Sequence, residues 1–521
     1  MKKQLIPGPG IRRFAVDPFV LCFLSAILLC LPFSNGKFWL CSWFGFIPLF
    51  IALDGKSCFR AFLISYASGI VFWLGTVYWL VHVTGLGLAV LLLYLALYHG
   101  AFGAACAYFF SKHRSSAILL IPGFWVLLEY LRSDLLTGFG WALAGYSQCL
   151  NLPMIQIADI TGVWGVSFLI LMANAGIYMV CVKRPGVNGG RRLAGSAGTK
   201  AIVIPVLFLM AVLAYGLYKL NRSPRPENPA LFKVSMIQGN IPQELKWNSS
   251  TKDFIINKYL DITDNVVRVS PDLVVWPEAA LPVILEDEPV YYDMVRQFCR
   301  KNRLPLLLGA VTRRDNSYYN SAVLISRQGM MEQRYDKLHL VPFGEYIPLR
   351  KALPFLDTIV PIGEISFGRE YTLFDIIAAD KAKRKFGVLI CFEDVFPQLS
   401  GNFVRKGAGF LVNITNDAWY MRTSASFQHS LCAVFRAVEN RVPVVRCANT
   451  GISEFIGPQG KTFNIIRDIR GRDIFIDGYK TALLPIGAHR LTFYTRYGDV
   501  FILVLAGLLG AAVLKSRRKN V

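Results

Sequence analysis

The stretch Lys385-Phe-Gly-Val-Leu-Ile-Cys391-Phe-Glu-Asp394 decides the interpretation of the C-terminal half of the chain. Its apolar, β-branched run predicts a buried strand that stops at a cysteine followed by two carboxylates. Residues 395–405 can begin a helix, so Cys391 is placed at a strand-to-helix turn, where hydrolase-type folds expose a nucleophile. The alternative is a core thiol, because free cysteine is among the most buried residue types.

The composition predicts a membrane protein with one large extramembrane domain. Of the 521 residues 54% are hydrophobic and only 17% are charged, and the mean hydropathy of +0.42 is too high for a soluble globular protein. Long apolar runs dominate residues 14–220, and an apolar segment returns at 499–514. The expected parts are an N-terminal transmembrane bundle (1–220), an extracytoplasmic catalytic domain (221–495), and a C-terminal transmembrane helix with a basic cytoplasmic tail (496–521).

The net charge of +22 is distributed as in a membrane protein rather than a nucleic-acid-binding one. Lys2, Lys3, Arg12 and Arg13 precede the first apolar segment, and four further basic residues between 515 and 519 follow the last. Anionic lipid headgroups and membrane topology explain this pattern, so no nucleic-acid partner is expected. The cysteines outside the apolar segments have no short paired spacing, so we expect neither a disulfide framework nor a bound metal.

Eight apolar segments are long enough to span a bilayer, which needs about 20 residues. Lysines and arginines concentrate at the N-terminus, in alternate short loops and in the C-terminal tail, which predicts cytoplasmic termini and an outward-facing soluble domain. Beside the fifth segment, Glu129 and Arg132 either satisfy each other or mark a functional site. The expected spans are 16–34, 38–54, 60–82, 86–110, 116–131, 160–182, 201–219 and 499–515.

In the soluble half, apolar strands alternate with helices, which indicates α/β layering. Polar residues cluster where these strands end: Glu278 follows the strand 272–276, Cys391 follows 387–390, and Asn413–Asp417 follow 409–412. Because ligand sites of open α/β sheets lie along that edge, several such placements favour an active site.

A cysteine nucleophile needs a base for its proton and a donor for the oxyanion. Glu278 as base and Lys337 as cation form a self-consistent set with Cys391. His339 and His429 are the alternative bases, although neither follows a predicted strand.

The chain resembles the nitrilase (carbon–nitrogen hydrolase) superfamily in three motifs and in their order. These motifs are Pro277-Glu278, Asp336-Lys337 and Cys391-Phe392-Glu393. Together with the multi-span N-terminal region and one closing span, they resemble the apolipoprotein N-acyltransferase family. That resemblance extends to Thr137-Gly-Phe-Gly-Trp141 and to the segment from Gln238 to Trp247. It implies an α-helical membrane bundle joined to an αββα sandwich.

The resemblance also implies a mechanism without a cofactor. Cys391 takes the sn-1 acyl chain of a phospholipid, phosphatidylethanolamine by preference, as a thioester and passes it to the N-terminal amine of an S-diacylglyceryl-cysteine lipoprotein. Glu278 serves as general base and Lys337 as oxyanion stabiliser. The further expected site residues are Glu345 and Glu393 as supports, and Trp247, Phe392, Asn416 and Trp419 as substrate-binding residues. For Glu393, a helix-terminal carboxylate is the alternative.

The apolar segment 346–362 predicts either a membrane-dipping lid or a packed core element. Two other functions stay open, a membrane-tethered amidase that hydrolyses its thioester and a catalytically silent scaffold. The expected location is the bacterial inner membrane, with the catalytic domain periplasmic and the protein monomeric.

Overall fold

A computed structural model describes residues 17–114, 116–181, 196–222, 227–347, 365–488 and 490–518. The first part of the chain and its C-terminal end are helical. Their α-helices are Pro18–Ser34, Ile47–Leu53, Cys58–Val77, Gly85–Lys112, Ala117–Asp134, Leu152–Ile155, Ala158–Thr161, Val163–Cys181, Ser196–Asn221 and Val500–Arg518, with 3₁₀ turns at Gly36–Trp43, Tyr78–His82 and Ala144–Gln148.

Helices occupy all eight predicted membrane segments. Several of these helices begin after an N-cap residue whose side chain accepts a hydrogen bond from a backbone N–H group of the first turn. Asp17 accepts one from Phe19 N (2.7 Å), and Thr84 accepts one from Gly87 N (3.1 Å). Five stretches within the described residues are long and apolar enough to cross a membrane: Gly36–Leu53, Cys58–His82, Gly85–Lys112, Val163–Cys181 and Ile202–Asn221. The count of eight spans stays a prediction.

The second part of the chain alternates strands and helices, as predicted. Its strands are β1 Glu227–Gln238, β2 Leu273–Val275, β3 Leu281–Ile284, β4 Leu306–Arg314, β5 Ser317–Ile325, β6 Met331–Asp336, β7 Phe374–Ile377, β8 Lys383–Ile390, β9 Phe410–Thr415, β10 Val444–Ala448, β11 Glu454–Ile456, β12 Thr462–Phe463 and β13 Gly478–Ala488. Its α-helices are Lys252–Val267, Pro289–Asn302, Pro397–Arg405, Ala425–Asn440 and Phe493–Tyr497, with 3₁₀ turns at Gln243–Leu245, Ser249–Thr251, Cys391–Val395 and Asp417–Tyr420.

The strands form two sheets that pack face to face. One has the order β13-β1-β2-β4-β5-β6, with β3 beside β4, and the other has the order β12-β11-β10-β9-β8-β7. Phe232 of the first sheet contacts Phe410 of the second, with ring centroids 5.3 Å apart. The helices Lys252–Val267 and Pro289–Asn302 cover the outer face of the first sheet. The predicted αββα sandwich is therefore confirmed.

The central strands of the second sheet are buried on both faces. Every residue of β9 and of β10 is buried, which suits parallel strands covered by helices on one side and by a second sheet on the other. The helix Ala425–Asn440, which packs on this sheet, also contacts the membrane bundle. Bundle and sandwich consequently share one continuous apolar core, in which Phe33 and Trp79 join Phe392 and Leu431.

The loop at residues 139–144 lies where the bundle meets the sandwich. Glu129 and Arg132 fix its backbone by hydrogen bonds. Arg132 Nη1 donates to Phe139 O (2.7 Å) and Trp141 O (2.8 Å), while Ala144 N donates to Glu129 Oε1 (2.6 Å). The pair is thus engaged mainly with the backbone of the loop. Of the predicted lid at 346–362, residues 348–362 lie outside the described residues, so the lid stays a prediction.

Candidate active site

The three predicted catalytic residues follow the ends of strands from both sheets. Glu278 lies three residues after β2, Lys337 directly follows β6, and Cys391 directly follows β8. Lys337 Nζ lies 3.6 Å from Glu278 Oε1, and the charges of Glu278 and Lys337 both act on the Cys391 thiol. All three side chains are buried.

The backbone of Cys391 is strained. Its φ of +53° lies in the left-handed region, which costs a non-glycine residue on the order of 1–3 kcal/mol. Asn413 Nδ2 donates to Cys391 O at 3.0 Å and stabilises this conformation. The sequence predicted that Asn413 follows the strand, but in the structure Asn413 lies inside β9. From there its side chain reaches the end of the neighbouring strand β8. The turn presents the sulfur at the end of a rigid strand.

The Cys391 thiol rests in its neutral form. Burial raises the pKa of Cys391 above its ordinary value, and the carboxylate of Glu278 raises it further, while Lys337 and a hydrogen bond with Thr415 lower it. Because the thiolate is the nucleophile, a base must remove the proton during the reaction.

Glu278, the predicted base, is held in place by its neighbours. Asn320 Nδ2 donates to Glu278 Oε1 (2.8 Å), and Lys337 Nζ lies 3.6 Å from the same oxygen. Its main chain is packed tightly as well, because a Cβ atom added at Gly309 would stand 2.6 Å from Glu278 Cα and 2.7 Å from Ala279 N. Only glycine on β4 permits this approach.

Gly309→Ala is expected to displace the Glu278 backbone, since main-chain atoms cannot move aside cheaply. We expect the predicted acylation of Cys391 to slow by about 10²-fold and the free energy of unfolding to fall by about 1–3 kcal/mol. Both are measurable on the purified protein in detergent, by single-turnover acylation and by thermal unfolding. Gly507→Ala is the matched control, since an added Cβ there meets nothing within 4 Å. Acylation by Gly309→Ala at the parent rate would contradict the role of this contact.

Lys337 and Glu345 form an ion pair. Lys337 Nζ donates to Glu345 Oε2 (2.9 Å), which also accepts from Val341 N (2.8 Å), while Asn320 Nδ2 donates to Glu345 Oε1 (2.7 Å). Burial opposes the charge of Lys337, but the carboxylates of Glu345 and Glu278 outweigh it and raise the pKa of Lys337 above its usual value. The ammonium group is therefore charged at neutral pH, which is compatible with the predicted role of Lys337 as oxyanion donor.

Lys337→Met is expected to lower both stability and activity. Two carboxylates are left around a buried position without their cation, which costs roughly 3–5 kcal/mol. Loss of the predicted oxyanion donor is expected to slow the predicted acylation of Cys391 by about 10²- to 10³-fold. Adding Glu345→Gln to this variant removes one of the unpaired charges. The double variant is expected to regain thermal stability but not acylation rate, a separation that a purely structural lysine would not produce.

Glu393 connects the nucleophile turn with the loop after Lys337. Its Oε1 accepts from Leu338 N (2.7 Å) and His339 N (3.0 Å), its Oε2 accepts from Ile390 N (2.7 Å), and Tyr335 Oη donates to both oxygens. Burial raises the pKa of Glu393 to about 7, while these hydrogen bonds and Lys337 oppose the shift. The side chain is fully buried at the turn Cys391–Val395. It bonds both to the end of β8 and to the loop that follows β6.

The predicted substrate-binding residues differ in their surroundings. Phe392 lies against Phe396 and Trp141, with centroid distances of 5.0 and 6.5 Å. Trp247 and Trp419 expose about half of their surfaces, 53% and 51%. Asn416 is buried: its Nδ2 donates to Gln243 Oε1 (2.7 Å), and its Oδ1 accepts from Asn449 Nδ2 (2.9 Å). Substrate contact by these four residues stays a prediction.

Neither candidate histidine is placed as the base. His339 Nε2 contacts Thr137 O at 3.1 Å. His429 lies beside the nucleophile, but its Nε2 faces the main-chain oxygen of Cys391 (3.3 Å) and Asp394 Oδ1 (3.0 Å), and its Nδ1 faces Asp417 Oδ1 (2.9 Å). Both ring nitrogens of His429 are therefore already bonded to oxygens of the protein. This favours Glu278 as the base.

Two residues of the site escaped the sequence reasoning. Asn320 lies in the middle of β5 and bonds to both Glu278 and Glu345. In the sequence it cannot be told from a polar residue on the solvent-exposed face of a strand. Lys246 is buried, its Nζ donates to Glu278 O (3.0 Å), and burial lowers the pKa of Lys246 to about 8 despite nearby Glu278 and Cys391. Its position beside Trp247, in a segment already singled out, was the available signal.

Comparisons with known proteins identify the family of the chain. The family model described as apolipoprotein N-acyltransferase N-terminal domain matches residues 25–176, and the one described as carbon–nitrogen hydrolase matches residues 233–467. The chain is 39% identical to the apolipoprotein N-acyltransferase of Geobacter metallireducens, over 96% of each chain, and 28% identical to that of Chlorobaculum tepidum, over 97% of each.

Among solved structures, an amidase from Nesterenkonia sp. is 16% identical, has a TM-score of 0.37, and is matched over 94% of its own chain and 50% of this one. The identity to the Geobacter metallireducens protein spans both the helical part and the sandwich. The chain therefore belongs to the apolipoprotein N-acyltransferase family, and it is an acyltransferase with a carbon–nitrogen hydrolase domain.

Proposed function

We propose that the protein moves the sn-1 acyl chain of a phospholipid, through a thioester on Cys391, to the N-terminal amine of an S-diacylglyceryl-cysteine lipoprotein. The single observation that carries this proposal is the arrangement of a neutral, buried thiol on a strained turn beside Glu278 and Lys337. Such a thiol reacts only where a base and an oxyanion donor are both at hand.

In the first half-reaction, Glu278 takes the proton from Cys391 Sγ, and the sulfur attacks the ester carbonyl carbon. Lys337 stabilises the oxygen that becomes negative in the tetrahedral intermediate. The C–O bond then breaks, and the lysophospholipid leaves with the proton that Glu278 returns to it. The acyl chain remains on Cys391 as a thioester.

In the second half-reaction, the amine of the lipoprotein attacks the thioester carbonyl. An α-amine has a pKa near 8, so an appreciable fraction is neutral and nucleophilic without elaborate activation. Glu278 accepts the amine proton, the C–S bond breaks, and Glu278 returns that proton to the departing sulfur, so Cys391 regains its thiol and Glu278 its carboxylate. Glu345 and Glu393 support the site through their bonds to Lys337 and to the nucleophile turn.

The membrane setting follows from the chemistry of the substrates, because both are lipids that hardly leave the bilayer. We infer a monomer in the bacterial inner membrane with cytoplasmic termini, a bundle formed by 1–220, a periplasmic domain formed by 221–495 and a closing helix in 496–521. The lysine and arginine distribution supports this orientation. Phosphatidylethanolamine is the proposed donor, and Trp247, Phe392, Asn416 and Trp419 are the proposed lipid contacts.

The test is to incubate the purified full chain in detergent with acyl-labelled phosphatidylethanolamine. We expect a hydroxylamine-sensitive label on the peptide that contains Cys391, which a diacylated lipopeptide then discharges with formation of an amide. Release of the label as free fatty acid, at a rate that the lipopeptide does not change, would instead indicate a hydrolase. Absence of label on Cys391 would overturn the proposed mechanism.

A further inference from the structure

Two consecutive residues of the helix Ala425–Asn440 contact different parts of the molecule. Gln428 faces the membrane bundle and His429 faces the nucleophile turn. Neighbouring residues of an α-helix point about 100° apart, so a single helix can bring one side chain to each partner. Both side chains are buried.

Gln428 bonds to the membrane bundle at several points. Its Nε2 donates to Phe33 O (3.2 Å) and Thr76 O (2.9 Å) of the bundle, and it also lies 3.1 Å from Ser424 Oγ at the start of its own helix. Its Oε1 accepts from Trp79 Nε1 (3.3 Å) and Trp141 Nε1 (2.7 Å). A glutamine amide offers two donor hydrogens and two lone pairs, so the two bundle carbonyls and the two indole N–H groups are sufficient to use all of them.

His429 bonds to the turn that carries the nucleophile. Its Nε2 lies 3.0 Å from Asp394 Oδ1 and 3.3 Å from Cys391 O, so one nitrogen contacts two residues of the turn Cys391–Val395. Its Nδ1 lies 2.9 Å from Asp417 Oδ1, and Asp417 Oδ2 accepts from Arg446 Nη2 (3.2 Å). Because both ring nitrogens face carboxylate oxygens, which only accept, both carry hydrogen, and the ring is fixed from two sides.

Trp141 closes the connection. Its indole N–H bonds to Gln428, while its ring lies 5.3 Å from the His429 ring and 6.5 Å from the Phe392 ring. The loop that carries Trp141 is in turn held by Glu129 and Arg132 of the membrane helix Ala117–Asp134. A continuous set of contacts thus leads from the bundle to the residue that follows the nucleophile.

We propose that Gln428 and His429 are positioning residues that form a joint between the membrane bundle and the nucleophile turn, so that the reactive geometry of Cys391 depends on the docking of the catalytic domain onto the bundle. This inference rests on the proposed function of Cys391. Its physical basis is that a left-handed cysteine backbone needs external contacts, and His429 supplies one of the hydrogen bonds to its carbonyl.

The joint gives the bundle a second role besides anchoring the sandwich in the membrane, which is to hold the nucleophile turn in its reactive geometry. An anchor would need only apolar contact, whereas Gln428 bonds to groups of Phe33, Thr76 and Trp141 from separate bundle segments. Acyl transfer would then be efficient only when the domain is correctly seated at the membrane. The joint acts on the rate of acylation rather than on donor binding, because neither side chain lies on an open surface.

The experiment compares thioester formation on Cys391 in the parent protein and in His429→Gln, Gln428→Met and Val434→Ala, each as the full chain in detergent with labelled phosphatidylethanolamine. At saturating donor we expect the rate to fall by about 10²-fold in His429→Gln and by about tenfold in Gln428→Met. The donor concentration for half-saturation is expected to change by less than about threefold in both.

Val434→Ala is the matched control, because it removes buried apolar volume from the same helix on the side that faces Gly460. It is expected to lower the unfolding temperature and to acylate at the parent rate. The inference is overturned if folded Gln428→Met and His429→Gln both acylate within about threefold of the parent, or if Val434→Ala slows as much as they do.

If His429→Gln fails to fold, Gln428→Met decides alone, since it retains the length of the side chain and removes only its polar atoms. If the parent itself forms no thioester, the proposed function fails and this inference fails with it. A parent that is acylated normally while the variants are unaffected overturns the joint alone, so the two failures are distinguishable.

Discussion

Cys391→Ser is expected to abolish the thioester and to lower acyl transfer by at least about 10⁴-fold. Serine retains the size of the side chain and an atom that can hydrogen-bond with Thr415, so the turn is expected to stay intact. A hydroxyl is a far weaker acid than a thiol and a poorer nucleophile, so the same predicted base activates it much less effectively. The measurement is the rate of amide formation on a diacylated lipopeptide, together with labelling of the Cys391 peptide.

The matched control for this variant is Cys299→Ala, which changes another fully buried cysteine, on the helix Pro289–Asn302 across the first sheet from the site. Its acyl transfer is expected to equal that of the parent. Transfer by Cys391→Ser at a tenth of the parent rate or faster would remove Cys391 from the mechanism.

Glu278→Gln is expected to produce the next largest loss, about 10³-fold in the rate of thioester formation. The amide oxygen can still accept the hydrogen bond from Asn320, so shape and packing are preserved while the base is lost. Because burial holds the pKa of the Cys391 thiol above its ordinary value, little thiolate forms without a base. Single-turnover acylation with labelled phospholipid measures the effect.

The control is Glu286→Gln, which neutralises a partly exposed carboxylate whose Oε2 accepts a hydrogen bond from Arg313 N. It removes one negative charge, as Glu278→Gln does, but its partners are Arg313 and Arg334 rather than the predicted catalytic residues. Equal slowing in both variants would show that charge in general, and not a base at Glu278, governs acylation.

Much of the site was predictable because its members follow apolar strands. The runs before Glu278 and Cys391 are recognisable as strands from their composition, and the residues that follow such strands lie at a sheet edge. The family motifs then identified Lys337, whose strand β6 is mostly polar and gives no comparable signal. Local pattern and motif order were sufficient for these three residues.

The supporting residues were not predictable in the same way. Asn320 is one polar residue in an ordinary strand, and its value depends on Glu278 and Glu345 both lying within 2.8 Å of its amide nitrogen. His429 follows a helical pattern in which nothing in the sequence identifies Asp394 and Asp417 as its partners. Such contacts depend on side chains that are distant in the chain and become neighbours only after the sheets have packed.

By itself, the sequence determined the apolar helices and the alternation of strands and helices, and it predicted a glutamate and a cysteine at strand ends as members of a reacting set, to which the family motifs added a lysine. These properties arise from local apolar periodicity and from residue chemistry, which a chain carries wherever it folds. Only the tertiary structure decided that Cys391 rests as a neutral thiol, that Lys337 is charged between two carboxylates, and that Gln428 and His429 join the bundle to the nucleophile turn. Burial and the distance between charges set these outcomes, and both exist only once the two sheets and the bundle are packed together.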